Sequence, residues 1–458
     1  MPDLLRTRLS APSGSHRRFV VSVALLCASL AGSVAAVELR VATTSHIDTG
    51  RLQANLEYLS EIGRDPAGGI TRLGLSQAEL DAHTYAISLM KDSGLTVRID
   101  AAGNVFGRRE GSAKLPVLLF GSHLDSVPHG GAYDGSLGAI GAIEVIRALN
   151  AAHIKTRHPL EVVVWTNEEG PHFGISAFGS SVAAGSVGPE VLDRKDERGE
   201  TVADWLRRYG QDPGKLASAR IAPGSLAAIV ELHIEQGPNL EEAKVPIGIV
   251  QGIVGLRRWM CVATGAANHA GTTPMNRRHD ALATAARELL AVRDSVRAEE
   301  GRQVGTVGYL KAEPGAPNVI AGRVEFPYEL RDLDVAKIER MRERTQQRFA
   351  DIDREEGTTT VCTEVNHIEP ALSDPGIQAT IRDAARSGGL ATMDLPSGAV
   401  HDAGEISRLA PMGMIFVPSH AGISHAPQEF TQPRDVANGV EVLYRTILLL
   451  DKKLDAKG

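Results

Sequence analysis

The chain has 458 residues, of which 43% are hydrophobic and 23% are charged. This length is sufficient for two domains of ordinary size, and the composition is typical of a soluble globular protein. The formal net charge of -7 gives no indication of a nucleic-acid-binding surface. We therefore expect an acidic enzyme or binding protein that has no nucleic-acid partner.

The first 36 residues have the three parts of a secretory signal. Arginines including Arg17 and Arg18 precede the apolar run "FVVSVALLCASL", and "AGSVAA" places small residues before a cleavage point after Ala36. The run is too short to cross a bilayer comfortably, although a membrane anchor or a wrongly assigned start codon would be alternatives. We predict a cleaved signal at residues 1–36, export to the periplasm, possible use of the twin-arginine route, and no membrane association after cleavage.

Cleavage would remove Cys27 and leave Cys261 and Cys362. Two cysteines are too few for a disulfide framework, and their spacing is not that of a zinc knuckle. Export permits a single bridge, and two unpaired buried thiols are the simpler expectation.

The first half of the mature chain alternates apolar runs of strand length with helical patterns. Ser76 and Glu79 have capping-box spacing at a helix start, and Gly94 marks the end of that helix. Apolar runs follow in "LPVLLFGSH", "LEVVVWTN" and "LAAIVELHIEQG", and a later one lies in "MGMIFVPSH". The alternation predicts an α/β catalytic domain with a mostly parallel sheet, formed by residues 37–244 and 368–458.

The pattern changes between residues 245 and 367. Here the order of predicted elements is β-α-β-β-α-β, which is the split-βαβ or ferredoxin-like arrangement. We interpret residues 245–367 as a second domain inserted into the first. Cys261 and Cys362 fall on its first and fourth strands, which are neighbours in such a sheet, so the two side chains could face each other.

Acidic and imidazole side chains collect where the apolar runs end. In chain order they are His123 and Asp125, Glu168 and Glu169, His233, Glu235 and Gln236, and His420 and His425. In an open α/β sheet, ligands bind outside the carboxyl ends of the strands. Four separate runs therefore bring histidines and carboxylates to one edge of the sheet.

Asp134 adds to this set from the glycine-rich turn "GGAYDGSLGAIG". A carboxylate at that position can bridge two cations through its two oxygens. Mixed imidazole and carboxylate ligation suits zinc, manganese, cobalt or nickel better than calcium or magnesium. Each histidine taken singly could be structural or exposed, but the group as a whole favours a metal site.

Six motifs stand out along the chain. They are "GSHLDSVPHGGAYDGSLGAIGAIE", "TNEEGPHFG", "ELHIEQGP", "NHAGTTPMNRRHDAL", "PNVIAGRVEFPYELRD" and "SGAVHDAGEIS…PSHAGISHAPQEF". Together they resemble the amidase branch of the M20 metallopeptidase family, which includes N-carbamoyl-L-amino-acid hydrolases, β-ureidopropionases and allantoate amidohydrolases. The resemblance extends from about residue 45 to residue 450, with the motifs in the expected order. It is specific for the branch and only weakly specific for the substrate.

The resemblance implies two divalent metal ions per subunit, zinc or else manganese, cobalt or nickel. The implied ligands are His123, Asp134 and His233 for one ion and Asp134, Glu169 and His425 for the other. Asp134 would bridge the two ions, Asp125 would orient His123, and Glu168 would be the general base.

The resemblance also assigns residues that would contact the substrate, a small carboxylate with a ureido or amide group. His269 would supply an oxyanion donor, Asn318 and Arg331 would hold the α-carboxylate, and Gln236 would contact the ureido group. Alternatively, His269 is a turn residue held by the backbone and Arg331 pairs with Asp332 or Glu329. The inserted domain would act as a lid and as the contact of a homodimer, and whether it serves its own site or a neighbour's stays open.

Two features depart from the relatives that the resemblance suggests. Alanine stands in "VIAGRV" where many relatives have proline, and most relatives are expected in the cytoplasm. The leading hypothesis is hydrolysis of N-carbamoyl-L-amino acids to the amino acid, carbon dioxide and ammonia. The alternatives are allantoate hydrolysis, N-acyl amino acid hydrolysis and, more remotely, an exported binding protein without turnover.

Overall fold

The structure is a computed structural model that describes residues 45–454. The predicted signal at residues 1–36 lies outside the described residues. Within residues 45–454, no helix combines the length and apolar character that a membrane span requires.

Sixteen strands are described, and two of them are two-residue segments that pair only with each other. The strands are β1 (Thr96–Ile99), β2 (Val105–Arg109), β3 (Val117–His123), β4 (Leu160–Trp165), β5 (Leu226–Ile234), β6 (Ile247–Ile253), β7 (Gly255–Thr264), β8 (Asn268–His269), β9 (Val304–Val307), β10 (Lys311–Glu313), β11 (Val319–Ile320), β12 (Arg323–Asp332), β13 (Thr359–Ile368), β14 (Ala371–Leu372), β15 (Thr392–Ser397) and β16 (Met412–Val417).

The described chain also contains eleven α-helices. They are α1 (Thr49–Glu61), α2 (Gln77–Asp92), α3 (Ser136–Ala151), α4 (Phe178–Ala184), α5 (Val202–Arg208), α6 (Asn239–Ala243), α7 (Ala281–Arg297), α8 (Val335–Glu356), α9 (Pro375–Ser387), α10 (Asp402–Ile406) and α11 (Pro433–Lys453).

The larger sheet has nine strands in the order β1-β2-β4-β3-β5-β16-β6-β14, with β15 also paired to β6. Its four central strands, β4, β3, β5 and β16, are parallel. Antiparallel pairs occur toward both edges, at β1-β2, β2-β4, β6-β16 and β6-β14. The predicted α/β fold with a parallel sheet is therefore confirmed, with antiparallel strands at its edges.

Continuous apolar runs form the centre of this sheet because both of its faces are covered. Every residue of β3 and β4 is buried, as expected for parallel strands between layers of helices. One apolar cluster joins the central strands to α1, α2, α3, α9 and α11, and a second cluster on the other side includes residues of α4, α6 and α10. Each buried valine of β4 contributes about 1.5–3 kcal/mol of hydrophobic stabilisation.

The second sheet has its own core. Its strand order is β10-β12-β7-β13, and β9 pairs with β12 alongside β10. Helices α7 and α8 contribute to the apolar cluster of this sheet. Residues Ile338, Met341, Thr345, Phe349 and Ile352 of the charged helix α8 are buried, at the spacing that puts side chains on one helical face.

The two cysteines of the described chain form a disulfide between neighbouring strands of the second sheet. Cys261 of β7 lies opposite Cys362 of β13, and their Cα atoms are 4.0 Å apart. The expectation of two unpaired thiols is therefore wrong, and the adjacency of the first and fourth strands is the physical reason. The bridge joins strands that are 101 residues apart in the chain.

One predicted boundary differs from the structure. Strand β6, at Ile247–Ile253, falls inside the predicted insertion of residues 245–367, yet it pairs with β14, β15 and β16 of the larger sheet. The second sheet starts with β7 at Gly255, directly after this strand. An apolar run that is followed at once by another strand gives no signal of which sheet each one joins.

Candidate metal centre and active site

The central parallel strands bring the predicted site residues to one edge of the larger sheet. His123 is the last residue of β3, Glu168 and Glu169 follow β4, and His233 lies near the end of β5. His425 lies in the loop that follows β16. Because the four strands are parallel, their carboxyl ends meet, and the five predicted ligands come together there.

The Asp134 carboxylate is the centre of this group. Its Oδ1 lies 3.4 Å from His123 Nε2 and 3.1 Å from His233 Nε2. Its Oδ2 lies 3.3 Å from His425 Nε2, and that nitrogen is also 3.3 Å from Glu169 Oε2. One carboxylate therefore faces two sets of side chains, one through each oxygen.

The two buried histidines have one ring nitrogen engaged and the other facing Asp134. His123 Nδ1 is 3.1 Å from the Asp125 backbone oxygen, and His233 Nδ1 is 3.0 Å from the Ile234 backbone oxygen. A carbonyl accepts a hydrogen bond only from a protonated nitrogen, so Nδ1 carries the proton in the neutral rings. This tautomer leaves Nε2 unprotonated and able to act as a ligand, as is usual for histidines at metal sites. The Gly135 N–H group also donates to His233 Nε2 at 3.2 Å.

The Asp125 side chain is involved in more than the orientation of His123. Its Oδ1 lies 3.4 Å from His123 Nδ1. The same carboxylate accepts hydrogen bonds from the backbone N–H groups of Glu168, at 2.9 Å, and of Glu169, at 3.0 Å. Asp125 therefore links the end of β3 to the turn after β4.

A glycine permits the close approach of Asp134 to His123. Gly135 has φ of 62°, and a Cβ at this position would lie 2.4 Å from the His123 ring. Any other residue type would collide with the imidazole and strain the backbone. The glycine-rich turn before α3 thus allows the aspartate to reach the histidines.

Burial and mutual repulsion disfavour the ionised forms of the carboxylates in this site unless positive charge is present. Burial, together with the charges of Asp402 and Glu169, raises the pKa of Glu168 well above its usual value, against the opposing effect of His123. Burial and the Asp134 charge raise the pKa of Glu169 to about 8. Burial opposes ionisation of Asp134 as well, but His233, His123 and His425 hold its pKa well below the usual value.

These side chains fit a pair of divalent cations. His123, Asp134 and His233 form one group of potential ligand atoms within 4.8 Å of one another, and Asp134, Glu169 and His425 form a second. Glu169 Oε1 is buried and has no hydrogen-bond partner among the described residues. Three imidazoles and two carboxylates are a donor set suited to zinc, manganese, cobalt or nickel.

A third group of Glu231, His233 and His401 also has suitable atoms close together. Its acceptor atoms are already used, because Glu231 accepts from Ser122 Oγ at 2.7 Å and from Ala403 N at 2.9 Å. His401 Nε2 is 2.8 Å from Ser397 Oγ. We interpret Glu231 and His401 as residues that hold the His233 side chain in place rather than as ligands of a further metal ion.

The predicted substrate contacts divide into two sets. Gln236 and Arg331 line a cavity of about 220 Å³ that also contains Glu168 and the predicted ligands, and both line an adjoining cleft of about 670 Å³. Gln236 Nε2 donates to Asp134 Oδ2 at 2.7 Å. Arg331 donates from Nη1 to the Gly398 backbone oxygen at 2.9 Å and from Nε to Glu329 Oε1 at 3.0 Å, so the predicted pair with Glu329 exists at the cavity wall.

His269 and Asn318 do not line this cavity or the adjoining cleft. They are exposed, and they lie together where β8 pairs with β11. His269 Nδ1 accepts from Gly271 N at 3.0 Å, and the Asn318 backbone oxygen accepts from Ala270 N at 3.0 Å. Of the sequence-predicted residues at the strand ends, His420 is also directed elsewhere and lies 2.8 Å from Glu241.

Sequence reasoning missed two residues that hold Asp134. Glu429 accepts from the backbone N–H groups of Tyr133 and Asp134, at 2.9 and 3.0 Å, and from Ser424 Oγ at 2.8 Å. Ser424 is also 3.0 Å from Asp134 Oδ2. Both residues are in the motif "SHAGISHAPQEF", so the motif contained the signal, but the spacing alone does not distinguish them from loop residues.

Several known proteins are similar to this chain over most of its length. The profile of "Peptidase family M20/M25/M40" matches residues 119–449. An N-carbamoyl-L-amino acid amidohydrolase from Geobacillus stearothermophilus is 41% identical over 87% of this chain and 97% of its own length. An allantoate amidohydrolase from Bacillus subtilis is 35% identical over 85% of this chain and 94% of its own length. The crystal structure of an amidase of the hydantoinase/carbamoylase family from Burkholderia multivorans is similar with a TM-score of 0.82 and 38% identity, covering 88% of this chain and 98% of the other.

Proposed function

The chain belongs to peptidase family M20/M25/M40 and is a hydrolase, and we propose that it is a dinuclear metal-dependent amidohydrolase acting on N-carbamoyl-L-amino acids. The observation that carries this proposal is the position of Asp134 between two potential ligand groups, with Glu168 beside them in one cavity. The similarity to the Geobacillus stearothermophilus protein supports the choice of substrate class.

The proposed reaction adds one water molecule across the carbamoyl C–N bond. The water oxygen bonds to the ureido carbon, the bond from that carbon to the α-nitrogen breaks, and the amino acid leaves. The carbamic acid that remains decomposes to carbon dioxide and ammonia. His123, Asp134 and His233 would hold one cation, and Asp134, Glu169 and His425 the other. When bound, two such cations polarise a carbonyl and lower the pKa of a water molecule.

Glu168 is the proposed proton carrier of this reaction. It is 6% exposed, and its Oε2 lies 3.9 Å from His123 Nε2, so its carboxylate borders the first ligand group. A carboxylate at this distance from the first ligand group can accept a proton from a water molecule held there. It would accept the proton of the attacking water and pass it to the α-nitrogen as the C–N bond breaks.

Arg331 and Gln236 are proposed to hold the substrate. The planar guanidinium of Arg331 can bind an α-carboxylate through two parallel hydrogen bonds. Gln236 Oε1 is buried without a hydrogen-bond partner among the described residues, so it can accept from a ureido N–H group. The two residues line the same cavity as Glu168. The scissile bond of a substrate held by them would lie between its α-carboxylate and the proposed metal ligands.

Allantoate is the second candidate substrate. It is also a carboxylate with ureido groups, and the Bacillus subtilis relative is named for it. The cleft of about 670 Å³ beside the site has room for a second ureido group. Both substrates release ammonia, so one assay can compare them.

The test is ammonia release by chelator-stripped protein with zinc, manganese, cobalt or nickel added back. The substrates are a panel of N-carbamoyl-L-amino acids and allantoate. We expect metal-dependent turnover, and we expect Glu168→Gln to lower kcat by about 10²–10⁴-fold without loss of bound metal. Glu242→Gln, at an exposed glutamate of α6, is the matched control and should behave as the wild type.

Two results would contradict the proposal. If protein with two bound metals releases no ammonia from either substrate class, N-acyl amino acids and dipeptides become the next substrates to assay. If those also fail while a ureido acid binds tightly, the chain is a binding protein without turnover.

A further inference from the structure

The turn that carries Glu168 and Glu169 has an unusual backbone conformation. Asn167, which precedes both glutamates, has φ of 53° although it is not a glycine. Non-glycine residues adopt this left-handed conformation rarely, and at functional sites the surrounding structure has to enforce it. The contacts of the turn therefore decide where Glu168 and Glu169 project.

Two buried carboxylates accept hydrogen bonds from three successive N–H groups of this turn. Asp125 accepts from Glu168 and Glu169 through its two oxygens. The N–H group of Asn167 donates to Glu79 Oε1 at 2.7 Å, over a sequence separation of 88 residues.

The carbonyl side of the turn is also held. The N–H groups at the start of α4 donate to it, from Ala177 to the Glu168 oxygen at 2.6 Å and from Phe178 to the Asn167 oxygen at 3.0 Å. These bonds come from residues close in sequence. The contacts with Asp125 and Glu79, by contrast, join the turn to residues at sequence separations of 43, 44 and 88.

Glu79 does not form the capping box that its spacing predicts. Ser76 does cap α2, with its hydroxyl 3.4 Å from Glu79 N. The Glu79 carboxylate instead accepts from Leu75 N at 2.7 Å and from the Tyr209 hydroxyl at 2.6 Å through Oε2. Glu79 Oε1 therefore remains available to accept from Asn167 N. A glutamate that served only to cap a helix would not make this contact.

A buried arginine supplies the positive charge for this arrangement. Arg72 is 1% exposed, and its field acts on both Asp125 and Glu79. It donates to the Leu124 backbone oxygen and to Ser136 Oγ at 3.1 Å, next to the candidate ligands His123 and Asp134. Glu79 thus belongs to a buried polar network that adjoins the candidate site.

We propose that Glu79 is a positioning residue of this site, which fixes the left-handed conformation of Asn167 and so sets the directions of Glu168 and Glu169. The proposal rests on the proposed function of those two glutamates. Glu79 itself touches neither the substrate cavity nor a ligand atom.

The test compares Glu79→Met with two controls that disturb the same helix but not the bond to Asn167. Tyr209→Phe removes a donor to Oε2, and Ser76→Ala removes the cap of α2. We expect Glu79→Met to lower kcat or the affinity for metal by about 10–100-fold, the range for residues that orient metal ligands. KM should stay within about twofold, because Arg331 and Gln236 are untouched. Both controls should keep the wild-type kcat even if their Tm falls.

Hydrogen exchange measured by mass spectrometry gives a second readout that does not depend on activity. Peptides containing residues 166–169 should exchange faster in Glu79→Met and unchanged in Tyr209→Phe. If exchange in this turn and kcat are the same in Glu79→Met as in the controls, Glu79 only stabilises α2 and the proposal is wrong.

The same measurement separates this proposal from the proposed function. If the wild type shows no metal-dependent turnover, the proposed function fails, while the exchange data still decide whether Glu79 fixes the turn. If Glu79→Met does not fold, hydrogen exchange of the wild-type protein tests the proposal instead. Its turn amides should exchange as slowly as those of β4, and fast exchange would overturn the role of Glu79.

Discussion

Glu168 and Glu169 are neighbours in the chain, yet their side chains face different partners. Glu169 Oε2 lies against His425, whereas Glu168 Oε2 lies near His123. This divergence follows from the left-handed Asn167 and from the two hydrogen bonds to Asp125. One pair of adjacent residues can therefore provide both a ligand and a base.

At the residue scale, the pKa values of the candidate ligands predict proton release when metal binds. The pKa of Glu169 is raised to about 8, mainly by burial, and that of His425 to about 9, mainly by its contact with Asp134. Both values lie above pH 7, so both groups hold a proton there, and a cation requires the deprotonated forms. We expect release of about one proton or more at pH 7 and tighter binding as pH rises toward 9.

Calorimetry in buffers with different ionisation enthalpies measures this release. The observed enthalpy of zinc binding should change with the buffer, and His425→Ala should reduce the change. Equal enthalpies in all buffers would show that the candidate ligands are already deprotonated at pH 7.

At the element scale, the sequence predicted the strands that carry the site because each one is a continuous apolar run followed by polar residues. It also predicted that His123, Glu168 and His233 meet, since parallel strands share one edge, whereas His420 of the same predicted set contacts Glu241 instead. It could not assign β6 to a sheet, because pairing between strands depends on long-range contacts. The role of Glu79 was hidden for the same reason: its partner Asn167 is 88 residues away, while the helix cap is local.

The helix α7 of the second sheet contains a buried acid that should make stability depend on pH. Burial raises the pKa of Glu288 from its ordinary value of 4.5 to about 8 in the folded state. Between these two pH values the folded state holds the proton more tightly than the unfolded state, so the contribution to stability is complete below about pH 4.5 and is lost as pH rises through 8. Glu288→Gln does not titrate and should avoid this loss.

Thermal unfolding at pH 5 and pH 8.5 tests this expectation. The difference between the Tm of Glu288→Gln and that of the wild type should be more positive at pH 8.5 than at pH 5, by roughly 2–4 °C or more. Glu300→Gln, at an exposed glutamate, should show no such change. A constant difference in Tm for Glu288→Gln would mean that the buried group keeps an ordinary pKa.

At the scale of the whole molecule, the two sheets contribute unequally to the candidate site. Arg331 at the end of β12 reaches the Gly398 loop and lines the cavity, whereas His269 and Asn318 of the same region stay outside it. Strand β13 is an edge strand of the second sheet and exposes Val361 by 62% and Val365 by 55%. An unpaired edge strand with exposed apolar residues is a usual site of strand pairing between chains, and this is consistent with the homodimer that the sequence resemblance implies.

A mixture of two inactive variants can show whether a second chain completes the site. We expect His269 to serve the cavity of a partner subunit, since it does not line the cavity of its own chain. Glu168→Gln and His269→Ala should each be nearly inactive alone. In a twofold dimer mixed at random from equal amounts, half of the dimers contain one chain of each kind. Each of these dimers has one site with both residues intact, so about a quarter of the wild-type activity should return.

If His269 instead reaches its own site by closure of the second sheet over the first, no site in the mixture contains both residues and the activity stays at the level of the variants. A single mass corresponding to a monomer in light scattering, at every concentration, would also exclude the shared site. Activity near a quarter therefore requires both a dimer and an exchange of residues across it, and neither condition alone produces that value.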